Sequence, residues 1–221
     1  MKIEIKNRWN GSVIFSHECE DNTIELTLLK AIAEYSDLRD SDLSGSDLSG
    51  SDLSGSDLRG SNLRDSDLRG SNLRGSDLRD SDLSGSDLSG SDLSGSDLSG
   101  SDLSGSDLRG SDLTPIRDDI WAILSSAPKE VSGLISAIKE GRIDGSSYIG
   151  TCACLVGTIA NIRVVDKNSI LGLSPNPSRP AERFFLAINE GDTPETNQFS
   201  KLALEWCEDW LNRMKSAFQC K

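Results

Sequence analysis

His17 and Cys19 stand two apart, as do Cys152 and Cys154, and these side chains could ligate a soft metal ion. Zinc takes four such ligands in a tetrahedron, and no spacing in the chain brings the two pairs together. Buried thiols are therefore expected, with no metal and no cofactor assigned. The count of five cysteines is odd and comes without secretory context, which points to reduced thiols. Glu205 and Asp209 lie four apart on one face of an expected helix and could serve as paired carboxylates for acid–base work. Such a pair is more often a solvated helix face. No catalytic residue is assigned, and the chain is not expected to be an enzyme. The aspartates between residues 36 and 115 invite calcium, but known calcium-binding repeats run in nines and place Gly and Asp differently.

Those aspartates belong to a pattern that dominates the chain. From Ser36 to Pro115 run sixteen five-residue units such as SDLSG, SDLRG and SNLRG. Each has Ser first, Asp or Asn second, Leu third, and Ser, Arg or one Thr fourth. The leucines are Leu38, Leu43, Leu48, Leu53, Leu58, Leu63, Leu68, Leu73, Leu78, Leu83, Leu88, Leu93, Leu98, Leu103, Leu108 and Leu113. In an α-helix, at about 100° per residue, a period of five never forms one apolar stripe. Collagen needs Gly at every third residue, and a straight strand throws successive leucines to opposite faces. The chain must turn once per unit and stack its turns at about 4.8 Å with every leucine inward, which is a solenoid. Two-residue alternation places Ser on the leucine side and Asp in water. The buried hydroxyls then need carbonyl partners, because an unbonded one costs about 1–3 kcal/mol.

These units resemble the pentapeptide-repeat family, whose pattern is a small residue, Asp or Asn, Leu and two variable positions. The likeness covers 80 of 221 residues. It implies a right-handed quadrilateral β-helix with four units per coil, hence about four coils. Ala is the commonest small residue in the family, whereas this chain has Ser throughout. Members with comparable helical tails are similar to proteins of bacteriophages and prophages, and the tail brings no activity that transfers.

Three regions follow. In residues 1–35, Ile3, Ile5, Val13 and Phe15 about an Asn10-Gly11 turn read as a β-hairpin. Ile24 to Tyr35 reads as a helix leading into the repeat, so that this region caps it. Residues 36–115 form the β-helix. Residues 116–221 read as a mainly α-helical domain. Thr114 is expected as N-cap with Pro115 as first helical residue, and Ile116, Ile120, Trp121, Ile123 and Leu124 on the buried side. Further helices are expected over 128–140, stopped by Gly141, and over 181–190, with the last following Thr193-Pro194. The stretch 151–162 is apolar and buried, and 168–180 is a loop.

Net charge is −13, and the repeat carries ten of those charges as seventeen Asp against seven Arg. That balance argues against direct binding of nucleic acid. No apolar run approaches about 18 residues and no signal peptide is present, so neither membrane insertion nor export is expected, and the cytoplasm is. Arg59, Arg64, Arg69, Arg74 and Arg79 occupy the fourth position of five successive units, which makes them a belt and a candidate interaction site. What remains is a scaffold or interaction module whose partner is a protein, with a homo-oligomer left open. The resemblance also offers an acidic DNA mimic that inhibits or protects DNA gyrase. Four coils at about 4.8 Å span only five or six base pairs at about 3.4 Å.

Overall fold

The computed structural model describes residues 1–145, 155–163 and 176–219. They fall into two compact units, Met1–Pro115 and Ile116–Lys221.

The first unit opens with β1 (Lys2–Asn7) and β2 (Val13–Glu18), paired antiparallel with Ile5 opposite Phe15 and a bulge between Ile5 and Lys6. Gly11 takes the left-handed φ of 69° that the hairpin loop needs. Helix α1 (Ile24–Ala33) is shorter than its expected range to Tyr35, which itself adopts φ 55° and ends it. The Thr23 hydroxyl accepts the Leu26 N–H as N-cap, and Leu28 and Ala31 are fully buried beneath it. The outer edge of β1 pairs antiparallel with β3 (Ser41–Asp42), in the first coil of the repeat.

Beyond β3 the backbone repeats one geometry. The second residue of each unit bridges in parallel to the residue twenty positions later, from Asp42 with Asn62 to Asp92 with Asp112. Three amides per unit join this ladder: Leu43 N–H donates to the Asn62 carbonyl (2.8 Å), Gly45 N–H to Arg64 (2.9 Å) and Asn62 N–H to Ser41 (2.8 Å). The corner is a β-turn in which Ser46 N–H returns to the Leu43 carbonyl at 3.2 Å. Its third residue must have positive φ, as in type II turns, and Gly45 has φ 63°. Asp40, Asp65 and Asp80 hold the same corner at φ 55–59°, where Asp is tolerated better than most residues. A Cβ on Gly60 would lie 2.4 Å from the Asp40 carboxylate oxygen, so the column alternates Asp with Gly.

All sixteen repeat leucines are at most 4 % exposed. At Ser51, Ser56, Ser76, Ser86, Ser91, Ser96 and Ser106 the hydroxyl donates to the leucine carbonyl three residues back, at 2.6–2.7 Å. Ser81 and Ser111 reach Leu58 and Leu88 in the neighbouring coil instead, at 2.8 and 2.6 Å. The hydroxyls of Ser41 and Ser71 are buried without a hydrogen-bond partner.

The second unit contains α2 (Thr114–Ser126, beginning two residues before the division), α3 (Val131–Lys139), α4 (Leu155–Arg163), α5 (Pro180–Phe185) and α6 (Gln198–Gln219). Phe184 packs against Phe199 and Trp206 with ring centroids 5.1 and 5.2 Å away. The Trp121 indole donates to the Trp206 carbonyl (3.0 Å) and that of Trp210 to the Ser125 hydroxyl (3.2 Å), tying α2 to α6.

Several boundaries differ from expectation. Thr114 is not the N-cap: its amide and hydroxyl both donate to the Asp112 carboxylate, because the last unit keeps its internal aspartate turn. Helix α3 begins at Val131, since Glu130 N–H first closes a turn on Ala127 (3.2 Å). Helix α5 ends at Phe185, where the following amides revert to three-residue bonds, Ala187 to Phe184 and Ile188 to Phe185. Thr193 and Thr196 close a turn, and Asn197 caps α6 by accepting the Phe199 and Ser200 amides at 2.8 and 3.1 Å. Most of the expected loop 168–180 lies outside the described residues.

The serines supply a test. Ser76→Ala removes a satisfied hydroxyl and is expected to lower unfolding free energy by about 0.5–1.5 kcal/mol. Ser71→Ala removes an unsatisfied one and is expected to leave stability unchanged or raise it by about 1 kcal/mol. Chemical denaturation of the two variants checks the contrast.

Candidate interaction surface

The second and fourth residues of each unit carry the side chains that face water. In every unit the second residue's side chain accepts the backbone N–H of the fourth; Asp42 does so from Ser44 at 3.3 Å, and Asn62 from Arg64 at 3.2 Å. A fourth-position Ser often adds its hydroxyl, as Ser44 does to Asp42 at 2.8 Å. This aspartate turn fixes the outward side chain on a rigid base.

When the fourth residue is Arg and the second is Asp, the guanidinium folds back onto its own unit. Arg59 Nε donates to Asp57 at 2.7 Å and Arg79 Nε to Asp77 at 2.9 Å, each with a second bond through Nη2. Arg39, Arg69 and Arg109 fork onto Asp37, Asp67 and Asp107 in the same way. The same guanidiniums lean toward the next coil, with Arg59 3.5 Å from Asp77 and Arg79 3.6 Å from Asp97. Hydrogen bonding from Arg39 pulls the Asp37 carboxyl from 3.8 to about 2. Arginine hydrogen bonds likewise depress Asp57, Asp67, Asp77 and Asp107.

Asn62 and Asn72 change this arrangement. Their amides donate to the carboxylates one coil back, Asn62 Nδ2 to Asp42 at 3.0 Å and Asn72 Nδ2 to Asp52 at 3.1 Å. Neither offers a charge to the arginine two residues on. Arg64 retains one contact, its Nε 3.4 Å from Asp65, and its side chain is 63 % exposed. Arg74 is exposed and has no ion-pair partner among the described residues. The belt of Arg59, Arg64, Arg69, Arg74 and Arg79 therefore contains two kinds of arginine: three forked onto the aspartates of their own units, and two that lack such a fork, Arg64 with its single Asp65 contact and Arg74 with none. Position in the sequence marked the belt, but its division required knowing that the second and fourth side chains of a unit touch.

The hairpin adds a polar brace. Arg8 Nη1 donates to the Gly60 carbonyl (2.9 Å), its Nη2 lies 4.0 Å from Asp82, and its guanidinium stacks 4.7 Å from the Trp9 ring. Trp9 is 73 % exposed and its indole N–H donates to Asp40 at 3.3 Å. Nothing in the sequence alone pointed to Arg8, whose partners lie more than fifty residues away.

The remaining candidates among the described residues lie in the hairpin and in α6. Asp209 accepts Arg213 Nε at 3.0 Å, and Glu205 is an exposed residue of the same helix. His17 sits opposite Ile3 in the hairpin, and Cys19 is a half-buried free thiol. Burial pushes the Cys207 thiol up to about 12, which makes it inert at neutral pH. Cys152 and Cys154 lie outside the described residues. Among those described, no group of three or more His, Cys, Asp or Glu could hold a metal ion, and no helix is long and apolar enough to cross a membrane.

A family model described as pentapeptide repeats matches residues 36–75 and 76–114, in eight copies. No curated protein sequence matches the chain. Among solved structures, the chain is similar to the pentapeptide repeat protein Rfr23 from the cyanobacterium Cyanothece 51142. Identity is 28 %, coverage 34 % of this chain and 56 % of that one, and the TM-score 0.26. It is also similar to alr5209, a pentapeptide repeat protein from Nostoc Pcc 7120, at 31 % identity, covering 41 % and 75 % with a TM-score of 0.27. A third is QnrB1, a plasmid-mediated fluoroquinolone resistance protein, at 22 % identity, 34 % and 60 % coverage and a TM-score of 0.18. The chain thus spans little more than half the length of Rfr23.

The two kinds of arginine are separable by melting. Arg59→Ser combined with Arg79→Ser is expected to lower the melting temperature at neutral pH and low salt, and high salt should remove most of the difference by screening. Asp57 and Asp77 are depressed in the folded state, so the stabilisation is present above the ordinary aspartate range. It should fade as pH falls below about 4 and these carboxylates protonate. Arg64→Ser combined with Arg74→Ser is expected to shift melting much less under all these conditions.

Proposed function

The chain belongs to the pentapeptide-repeat family through residues 36–114, and from that premise we propose that it is a non-enzymatic scaffold that binds another protein. Its repeat is a right-handed β-helix; on the present reading it is quadrilateral, sixteen units at four per coil making about four coils. Residues 1–35 cap its first coil, and residues 116–221 form a helical domain.

One observation carries this reading. The backbone amides and the inward Ser and Leu of each unit are spent on the coil, so the outward second and fourth side chains are what varies from unit to unit. Such a surface is suited to display: rigid, regularly spaced and strongly charged. Rigidity lowers the ordering cost of association, and the net charge of −13 favours partners with basic surfaces and accelerates their encounter. The exposed aspartate ladder also supports a second reading, an acidic mimic of DNA that occupies DNA gyrase.

Affinity capture with the full-length chain from a lysate of its source organism, under low salt, tests the proposal. A protein retained by the wild type and released by moderate salt is expected. Retention of nothing beyond what an unrelated acidic protein retains would contradict it. Inhibition of purified DNA gyrase supercoiling at near-stoichiometric amounts would replace it with the second reading.

A further inference from the structure

Residues twenty apart stack in columns, and residues ten apart lie half a coil apart, on opposite sides. Two opposite columns are nearly copies. One carries Asp42-Ser44, Asn62-Arg64, Asp82-Ser84 and Asp102-Ser104; the other carries Asp52-Ser54, Asn72-Arg74, Asp92-Ser94 and Asp112-Thr114. Both carry their arginine on the second rung, but the first column is engaged elsewhere, with Arg64 3.4 Å from Asp65 and Asp82 4.0 Å from Arg8; the second reads negative, positive, negative, negative with no ion-pair partner at Arg74 among the described residues. The other two columns have no such rung, because their arginines are folded onto their own aspartates.

We infer that the second column is a docking track for a basic helical protein segment that carries one carboxylate in its second turn. The inference rests on the protein-binding reading above and names the partner's chemistry. Successive rungs are about 4.8 Å apart, and a helix presents a side chain on one face about every 5.4 Å, so four turns stay within reach of four rungs. Cations on the first, third and fourth turns meet aspartates. A carboxylate on the second meets Arg74, whose planar fork favours bidentate pairing. A segment basic at all four turns would set a cation against the guanidinium and lose specificity through repulsion. Asn72 is the means of this selection: it releases the arginine and removes one negative charge from the rung.

Two synthetic helical peptides test this with the full chain. Both carry Lys at positions 1, 8 and 12, which share one helix face with position 5, and position 5 is Glu in one and Lys in the other. Binding is read by calorimetry at low salt. The wild type is expected to take up one Glu peptide per chain and to prefer it over the all-Lys peptide by about threefold or more. Arg64→Ser with Arg74→Ser should reverse the preference, because general attraction to the acidic coil then favours the more basic peptide. Asn62→Asp with Asn72→Asp keeps both arginines but supplies each with an aspartate, as in the SDLRG units that already fold; it too should lose the preference. Equal or all-Lys preference in the wild type, or no binding of either peptide, would overturn the inference. Capture of a partner whose binding ignores these substitutions would overturn it while leaving the interaction reading intact.

Discussion

The hydrogen bond from the leucine amide to the carbonyl nineteen residues later, made by every repeat leucine from Leu43 to Leu93, is the constraint on which the first unit depends. Leu43 to Asn62, Leu48 to Asp67 and Leu53 to Asn72, all at 2.8 Å, lock one coil onto the next. Once that spacing is set, a corner is needed at every fifth residue, and the corner demands positive φ. Gly meets that demand without strain, and Asp meets it at residues 40, 65 and 80. The inward direction of Ser and Leu and the outward direction of Asp follow from the same spacing. No residue in the coil is free to choose its side.

Surface chemistry is then a matter of two adjacent choices per unit. Asp with Ser gives a small, closed hydrogen-bonded turn. Asp with Arg gives a neutralised rung that also reaches the next coil, as Arg59 and Arg79 do. Asn with Arg leaves the guanidinium without a fork in its own rung, while the Asn amide binds the carboxylate one coil back instead of repelling it. A coil that fixes the backbone so firmly can vary these rungs at little cost to its fold, which makes it a suitable base for recognition.

Much of this was legible in the sequence because it is local and periodic. The period of five excludes the helix and the straight strand, and two-residue alternation within SDL places Leu inward and Asp outward. The Asn10-Gly11 pair marked the hairpin and Gly141, at φ 64°, the end of a helix. What escaped was decided by competition or by distance. Thr114 has the composition of an N-cap, but Asp112 already claims its amide. Thr193-Pro194 looks like a helix start, yet Asn197 presents its side chain to the Phe199 and Ser200 amides. The belt looked uniform because its five arginines share one position; the residue two places earlier decides which fork onto their own unit. Arg8 finds Gly60 and Asp82 only after the chain has coiled.

The twenty-residue register is the claim from which the columns, the rungs and the two kinds of arginine all follow, and cysteine pairing measures it directly. Gly85 N–H donates to the Ser104 carbonyl at 2.9 Å, which places Ser84 and Ser104 on neighbouring coils of one column. Stacked backbones about 4.8 Å apart fall within the Cα separation of about 4.4–6.8 Å that a disulfide tolerates. On mild oxidation, Ser84→Cys with Ser104→Cys should close a disulfide between the introduced residues, identified by mass spectrometry after digestion at aspartate. Ser84→Cys with Ser99→Cys, fifteen residues apart, should not. Closure of the fifteen-residue pair in preference to the twenty-residue pair would contradict the register.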